Sequence, residues 1–138
     1  MGRLDPRFKT FKQRGEWVEM LFMARAAHEG IQVSKPYGDS APYDFIVEYH
    51  SHCLRVQVKS TSHHSDGAPT CQVHGGTHQA YLSDAFDFAA VYLINNQIWF
   101  IIPRAQIGGQ TSLHFSPGVR NSKYGQYEDA WHLLKATV

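Results

Sequence analysis

Three polar side chains on two predicted neighbouring strands have the chemistry to hold a hard cation beside a phosphate. Asp44 precedes a turn, and Gln57 and Lys59 follow it. A carboxylate and an amide oxygen are ligands that Mg²⁺ accepts. A lysine two residues beyond the amide shares its face of the strand, where it can orient a metal-bound water or counter developing negative charge. A pattern of three residues can arise by chance. It indicates a cation site only if the strands place all three side chains on one face.

Apolar and polar residues alternate on both sides of that turn. The alternation predicts strands over Tyr43–Tyr49 and Leu54–Lys59, joined near Ser51-His52. We predict the register that sets apolar residues opposite each other: Phe45 with Val58, Val47 with Val56, and Tyr49 with Leu54. That register places Asp44 opposite Lys59 and Ile46 opposite Gln57, so Asp44, Gln57 and Lys59 share one face.

Glu19 is a fourth candidate, on a helix predicted from about Thr10 to Glu29. Thr10 and Gln13 match a capping box, apolar residues follow at helical spacing, and Gly30 is a natural C-cap. The helix is apolar nearly all round, and a buried carboxylate is costly unless a cation or hydrogen bonds compensate it. Two interpretations stay open: Glu19 belongs to a cation site, or it is neutralised by an Arg or Lys.

The remaining elements are shorter. We expect an edge strand over Ile31–Val33, and a mobile loop over Ser60–Pro69. The further predicted elements are strands at Cys71–His74, Phe88–Ile94, Ile98–Ile102 and Ser112–Phe115, helical turns at Tyr81–Phe86 and Pro103–Ile107, and a closing amphipathic helix at Glu128–Leu134. This order predicts an α/β or α+β fold around a mixed sheet.

Five segments carry a resemblance to known proteins: Gly15-Glu16-x-x-Glu19, Gly30, Pro36-x-Gly38-Asp39, Tyr43-Asp44-Phe45-x-Val47 and Arg55-Val56-Gln57-Val58-Lys59-Ser60. They resemble the PD-(D/E)XK nuclease superfamily and, within it, the group I intron-associated endonuclease family, whose signature ends in QxK. A looser likeness runs on to Trp131 and covers most of the chain. The resemblance implies a restriction-endonuclease-like αβββαβ core, with a central mixed β-sheet flanked by helices.

The resemblance also implies an activity: a metal-dependent DNA endonuclease that hydrolyses phosphodiester bonds, with a site-specific, intron-associated role as a further expectation. It assigns the catalytic set to Glu19, Asp44, Gln57 and Lys59. The metal would be Mg²⁺, with Mn²⁺ as a substitute, held by Asp44, Gln57, Glu19 and the Val58 carbonyl. The neutral Gln57 removes one negative charge, so we expect weak metal binding until substrate phosphate completes the shell.

The expected partner is double-stranded DNA. Its backbone contacts are assigned to Lys12, Arg14, Ser60 and Lys123. One site makes one nick, so duplex cleavage calls for a homodimer or homotetramer. An inactive relative that binds DNA or another partner with the same fold is the alternative, and the intact catalytic set argues against it.

Charge and composition restrict the other functions. The chain has 138 residues and a formal net charge of +1, which excludes a binder that acts through bulk positive charge. Residues 1–35 nevertheless hold seven Lys/Arg against four acids, and residues 36–103 hold two against six. We expect one domain over residues 1–138, a cytoplasmic location and no membrane association, because no apolar run reaches the length of a span and the start lacks a signal-type apolar region.

A zinc site is a third hypothesis. Cys71-x-x-His74-x-x-x-His78 has usable spacing, with Cys53 or His50 as a fourth ligand. Gly75-Gly76 interrupts the motif, which favours loop histidines or phosphate contacts instead. The nine histidines of the chain have no assigned role.

Overall fold

The computed structural model describes residues 5–73 and 85–136. Their elements are, in chain order, α1 (Phe11–His28), β1 (Gln32–Ser34), β2 (Phe45–Tyr49), β3 (His52–Thr61), β4 (His64–Ser65), β5 (Ala68–Gln72), β6 (Phe88–Leu93), β7 (Ile98–Pro103), α2 (Arg104–Ile107), β8 (Ser112–His114) and two 3-10 helices, Gly125–Tyr127 and Trp131–Leu134. No helix in these two ranges is long and apolar enough to cross a membrane.

The described strands form two sheets. The larger has the order β1-β2-β3-β6-β7, and the smaller has the order β4-β5-β8. The pair β3–β6 is parallel and the other pairs of the larger sheet are antiparallel, so the predicted mixed sheet with flanking helices is confirmed. The predicted helical turn at Tyr81–Phe86 falls mostly outside the described residues; Ala85 and Phe86 are buried and not helical.

The first helix follows the sequence prediction closely. The Thr10 hydroxyl caps it by accepting the Gln13 N–H at 3.0 Å. Gln13 departs from a strict capping box, because its side-chain oxygen accepts the N–H of Lys9 rather than that of Thr10. Beyond the helix, Gly30 has φ +80°, a conformation that costs glycine little.

Two apolar layers cover the two faces of the larger sheet. On one face, α1 and the C-terminal 3-10 helix pack on alternate residues of β2 and β3: Phe45, Val47, Val56 and Val58. On the other, β5, β8 and the segment after β8 cover β6 and β7: Ala89, Val91, Phe100 and Ile102. The aromatic residues Phe22, Tyr92, Trp99 and Phe100 are buried in these layers.

The β2–β3 register differs from the prediction by two residues. The observed partners are Phe45 with Val56, Val47 with Leu54, Tyr49 with His52, and Ile46 with Arg55. The expected placements of Asp44 opposite Lys59 and Ile46 opposite Gln57 are therefore wrong. The cause is the turn, where His50 and Ser51 both have positive φ and close a two-residue hairpin. A shift of two keeps every side chain on its predicted face.

Two further predictions need correction. Ser60–Pro69 contains the end of β3 and the β4–β5 hairpin rather than a mobile loop, and the Thr61 hydroxyl donates to the Thr70 carbonyl at 2.7 Å across its base. Glu128–Leu134 is not an α-helix. Asp129 has φ +53° and its N–H donates to the Trp99 carbonyl, so this segment is held to β7 and cannot continue as a helix.

Phe22 fixes the position of α1 against the strand that follows Asp44. Its ring is fully buried, stacks on Phe45 with centroids 5.3 Å apart, and contacts Trp99 and Trp131. We expect Phe22→Ala to lower the free energy of unfolding by about 3–5 kcal/mol in urea denaturation, because the cavity is walled by rigid rings. Met20→Ala, at an exposed position of the same helix, should cost less than about 0.5 kcal/mol. Equal costs for the two variants would contradict this packing.

Candidate functional site

Asp44 lies immediately before β2, where its backbone and its side chain both bond to β3. Its N–H donates to the Val56 carbonyl at 2.9 Å. Its carboxylate oxygen Oδ2 accepts the Val58 N–H at 2.7 Å. The side chain thus takes the place of a backbone carbonyl in the ladder, and this bond fixes the carboxylate beside Val58, between Gln57 and Lys59 in sequence.

The pKa of the Asp44 carboxyl group depends on its burial and on the charged side chains around it. Burial raises the pKa of Asp44, and the hydrogen bond from Val58 partly offsets that rise. The negative charge of Glu19 raises the pKa further, whereas the positive charges of Lys59 and Lys35 lower it. Glu19, Asp44 and Lys59, which the sequence placed together, therefore lie within electrostatic reach of one another.

Glu19 forms an ion pair rather than being buried alone. Its Oε1 lies 2.9 Å from the Lys35 Nζ, and its side chain is 29% exposed. The second interpretation of Glu19, a carboxylate neutralised by a cation, is what the structure shows. Its place beside Asp44 keeps it available to a cation site as well. The sequence analysis did not name Lys35. Its position directly before the Pro36-x-Gly38-Asp39 segment is the feature that could have marked it as the partner of Glu19.

Gln57 and Lys59 lie on the same face of β3. They alternate with the buried Val56 and Val58 and are half-buried. In the parallel pair with β6 they are in register with Ala89 and Val91. The predicted common face is confirmed for this pair by the strand geometry.

The Val58 carbonyl faces the same side as Asp44. The N–H and C=O groups of one strand residue point in the same direction, as they do when two residues exchange both bonds. Because the Val58 N–H reaches Asp44, its carbonyl also points toward the side where β2 begins. Backbone geometry therefore directs this oxygen toward the side of β3 on which the Asp44 carboxylate lies.

A cleft of about 470 Å³ opens beside Asp44. It is lined by the first half of α1 and by the segment between β1 and β2: Lys12, Gly15, Glu16, Glu19, Lys35, Pro36, Gly38, Asp39, Ala41, Tyr43 and Asp44. Four carboxylates face two lysines there, so the cleft has an excess of negative charge. Gln57 and Lys59 are not among these lining residues. The sequence analysis assigned no role to Glu16. Its position in the Gly15-Glu16-x-x-Glu19 segment is the feature that could have marked it as a cleft residue.

The oxygen atoms at the cleft fit a hard divalent cation. Within residues 5–73 and 85–136, Asp44 Oδ1 accepts no hydrogen bond, and the Glu19 carboxylate lines the same cleft. Carboxylate and carbonyl oxygens are the donors that Mg²⁺ prefers. No group of three or more His, Cys, Asp or Glu among the described residues could hold a metal ion, so a cation here would need backbone, amide or substrate oxygens as well.

The four residues predicted to contact DNA occupy different surroundings. Lys12 lines the cleft. Arg14 lies on the first turns of α1 with its guanidinium over the Phe11 ring. Ser60 is half-buried on β3. Lys123 contacts Gln110 and the Tyr124 ring, neither of which lines the cleft.

Of the residues named in the zinc hypothesis, the structure describes Cys71, Cys53 and His50. His74 and His78 lie outside the described residues. Cys53 is exposed at the start of β3, whereas Cys71 is buried on β5. Burial raises the pKa of the Cys71 thiol to about 12, which opposes the thiolate form that zinc binds.

Comparison with solved structures supports the fold described above. The chain resembles the bacterial homing endonuclease I-Ssp6803I with a TM-score of 0.76 and 24% identity, over 90% of this chain and 92% of that one. It also resembles Hjc, a Holliday junction resolvase from Archaeoglobus fulgidus, with a TM-score of 0.56 and 12% identity, over 91% and 98% of the two chains. A search of curated proteins found no match.

Sequence comparison extends this likeness to nearly the whole chain. The sequence profile of the PD-(D/E)XK endonuclease family matches residues 9–134. That range runs from the residue before the Thr10 cap to the last residue of the C-terminal 3-10 helix, and it includes Glu19, Asp44, Gln57 and Lys59. The chain therefore belongs to the PD-(D/E)XK endonuclease family.

Proposed function

We propose that this protein is a Mg²⁺-dependent DNA endonuclease whose catalytic residues are Glu19, Asp44, Gln57 and Lys59. The observation that carries the proposal is the Asp44 carboxylate, which accepts the Val58 N–H and lines an acidic cleft together with Glu19. Family membership supports phosphodiester hydrolysis as the reaction. An acidic cleft alone would repel DNA, so a bound cation also explains how a polyanion enters it.

Asp44, Glu19, Gln57 and the Val58 carbonyl would hold the cation. A divalent cation supplies Lewis-acid polarisation of the scissile phosphate. Lys59, on the same face as Gln57, orients the attacking water and counters the negative charge that develops on the phosphate. Lys35 neutralises Glu19 in the free protein, and a divalent cation held by Glu19 would take over that role.

The substrate we propose is double-stranded DNA, held at its backbone by Lys12, Arg14, Ser60 and Lys123. One chain carries one site and cuts one strand, so cleavage of both strands requires a homodimer or homotetramer. Site specificity and an intron-associated role are part of the proposal and are carried by the resemblance of the QxK signature.

The first test is cleavage of supercoiled plasmid, a linear duplex and a four-way junction, with and without Mg²⁺ or Mn²⁺. We expect cutting of at least one substrate only when a divalent ion is present. Asp44→Asn and Lys59→Met should each reduce the cutting rate at least about 100-fold, because each removes a group that acts on the transition state.

The matched control is Asp66→Asn, which removes a carboxylate from the β4–β5 turn and should cut normally. Thermal melts must show that the variants are folded. Metal-dependent cutting that survives in either Asp44→Asn or Lys59→Met would overturn the residue assignment, and an inactive but folded wild type on all substrates would favour the non-catalytic alternative.

Gln57→Glu should strengthen metal binding by roughly tenfold, since ligand charge tunes affinity for hard cations. Isothermal titration of Mg²⁺ into the DNA-free protein measures this without relying on activity. Gln32→Glu, at an exposed position of the edge strand β1, is the control for adding one negative charge. Equal titrations for the two variants would remove Gln57 from the metal site.

Asp44 should also make stability depend on pH. The pKa of Asp44 is higher in the folded protein than its ordinary value of 3.8. Between the pKa of the unfolded chain and that of the folded protein, the folded state binds more protons than the unfolded state. The free energy of unfolding therefore falls as the pH rises through that interval. Asp44→Asn has no carboxyl group to ionise at this position, so its free energy of unfolding does not fall for this reason as the pH rises. We expect it to be more stable than wild type in urea at about pH 7, with the difference shrinking toward about pH 4. A variant less stable than wild type at neutral pH would contradict the cost assigned to this buried carboxylate.

A further inference from the structure

Lys35 places a positive charge at the carboxylates that the proposed function assigns to a metal ion. Its Nζ atom lies 2.9 Å from Oε1 of Glu19. The same atom lies 4.8 Å from the centroid of the Phe45 ring, which follows Asp44 in the chain. The charge of Lys35 also lowers the pKa of Asp44. In the free protein, one ammonium group thus bonds to one proposed metal ligand and acts on another.

The contact between Lys35 and Glu19 is of a kind that can be exchanged. The Lys35 side chain is 57% exposed and that of Glu19 is 29% exposed, and an ion pair in such contact with water is held weakly. The lysine stem is flexible, and its ammonium group is a compact point charge that other anions attract. Because Lys35 follows the end of β1 directly, its backbone stays in place while the ammonium group changes partner.

The two ligands of the proposed function make opposite demands on this lysine. Lys35 and Lys12 are the two lysines that line the cleft, against four carboxylates. A divalent cation is attracted by the carboxylates and repelled by the ammonium group of Lys35. A DNA phosphate is repelled by the carboxylates and attracted by the lysines. Moving the ammonium group from Glu19 to a phosphate therefore favours both ligands at once.

We propose that Lys35 couples metal binding to DNA binding: its ammonium group holds Glu19 in the free protein and transfers to a backbone phosphate when DNA enters, which leaves Glu19 to the metal ion. The inference rests on the proposed function and deepens it by assigning the regulation of the same site. Because coupling between two ligands is reciprocal, DNA must strengthen Mg²⁺ binding by the same factor by which Mg²⁺ strengthens DNA binding.

Titration of Mg²⁺ into the DNA-free protein is the first measurement. Lys35→Met keeps an apolar stem against Phe45 and removes the charge. We expect it to bind Mg²⁺ about tenfold more tightly than the wild type, the combined scale of one exposed ion pair and one cation–π contact. Lys35→Arg keeps a positive charge and donors for Glu19, so it should bind Mg²⁺ no more tightly than the wild type. A gain in Lys35→Arg equal to that in Lys35→Met would overturn the proposal.

Lys12→Met is the matched control for the loss of one positive charge. Lys12 lines the same cleft, and within residues 5–73 and 85–136 no ion pair joins it to a carboxylate. Its removal should strengthen Mg²⁺ binding less than about threefold, because water screens a charge that makes no direct contact. Equal gains for the Lys12 and Lys35 variants would mean that only the net charge of the cleft matters, and the proposal would be wrong.

Duplex binding with and without Mg²⁺ measures the coupling itself. A fluorescent duplex that the wild type cuts is titrated with Lys59→Met, which leaves it intact, and with the double variant Lys59→Met/Lys35→Met. Mg²⁺ should strengthen duplex binding by Lys59→Met, and this gain should be about tenfold smaller in the double variant, because the state that withholds Glu19 no longer exists. The same gain in both proteins would contradict the coupling.

The coupling and the proposed function fail in different ways. If the wild type cuts DNA only with a divalent ion but Lys35→Met binds Mg²⁺ as the wild type does, the role of Lys35 fails and the proposed function stands. If the folded wild type binds no Mg²⁺ with or without DNA and cuts nothing, the proposed function fails and the coupling fails with it. Thermal melts show that each variant is folded, and the exposure of Lys35 predicts melting temperatures close to that of the wild type.

Discussion

The hydrogen bond from the Val58 N–H to the Asp44 carboxylate is the constraint on which the site depends. It ends the β2–β3 ladder by replacing a backbone acceptor with a charged side chain. That substitution fixes the carboxylate in position and turns the Val58 carbonyl to the same side. It also holds the carboxylate where burial makes its charge costly, so the strand pairing that builds the fold also supports the chemistry.

The two faces of the sheet divide the roles. On one face the stack of Phe22 on Phe45 holds α1, and with it Glu19, beside the start of β2. The other face brings β5, which carries the buried Cys71, against β3. The Glu19 carboxylate on α1 and the Lys59 ammonium on β3 therefore both act on Asp44, from different elements. Like charges gathered in this way reduce stability, and such a cost is common where a site must bind an ion or a phosphate.

The structural features that were predicted correctly from the sequence are those that follow from local periodicity. Helical spacing and the Thr10 cap predicted α1, and period-two alternation predicted which side chains of β3 share a face. The register was wrong because it depends on the conformation of His50 and Ser51, both of which adopt positive φ. The prediction of a closing α-helix was wrong because the Asp129 N–H bonds to the Trp99 carbonyl. These two residues are far apart in the sequence, and no local pattern relates them.

The sequence by itself proposed Glu19, Asp44, Gln57 and Lys59 as candidate site residues. It also determined the elements that carry them and the common face of Gln57 and Lys59, because these depend on residue type and spacing along one element. Only the tertiary structure decided that Lys35 neutralises Glu19, that Val58 anchors Asp44, and that the Nε atom of Arg14 is buried without a hydrogen bond. Each of these depends on packing between distant segments. The charge and burial of a side chain come from its neighbours in space, which spacing along the chain does not specify.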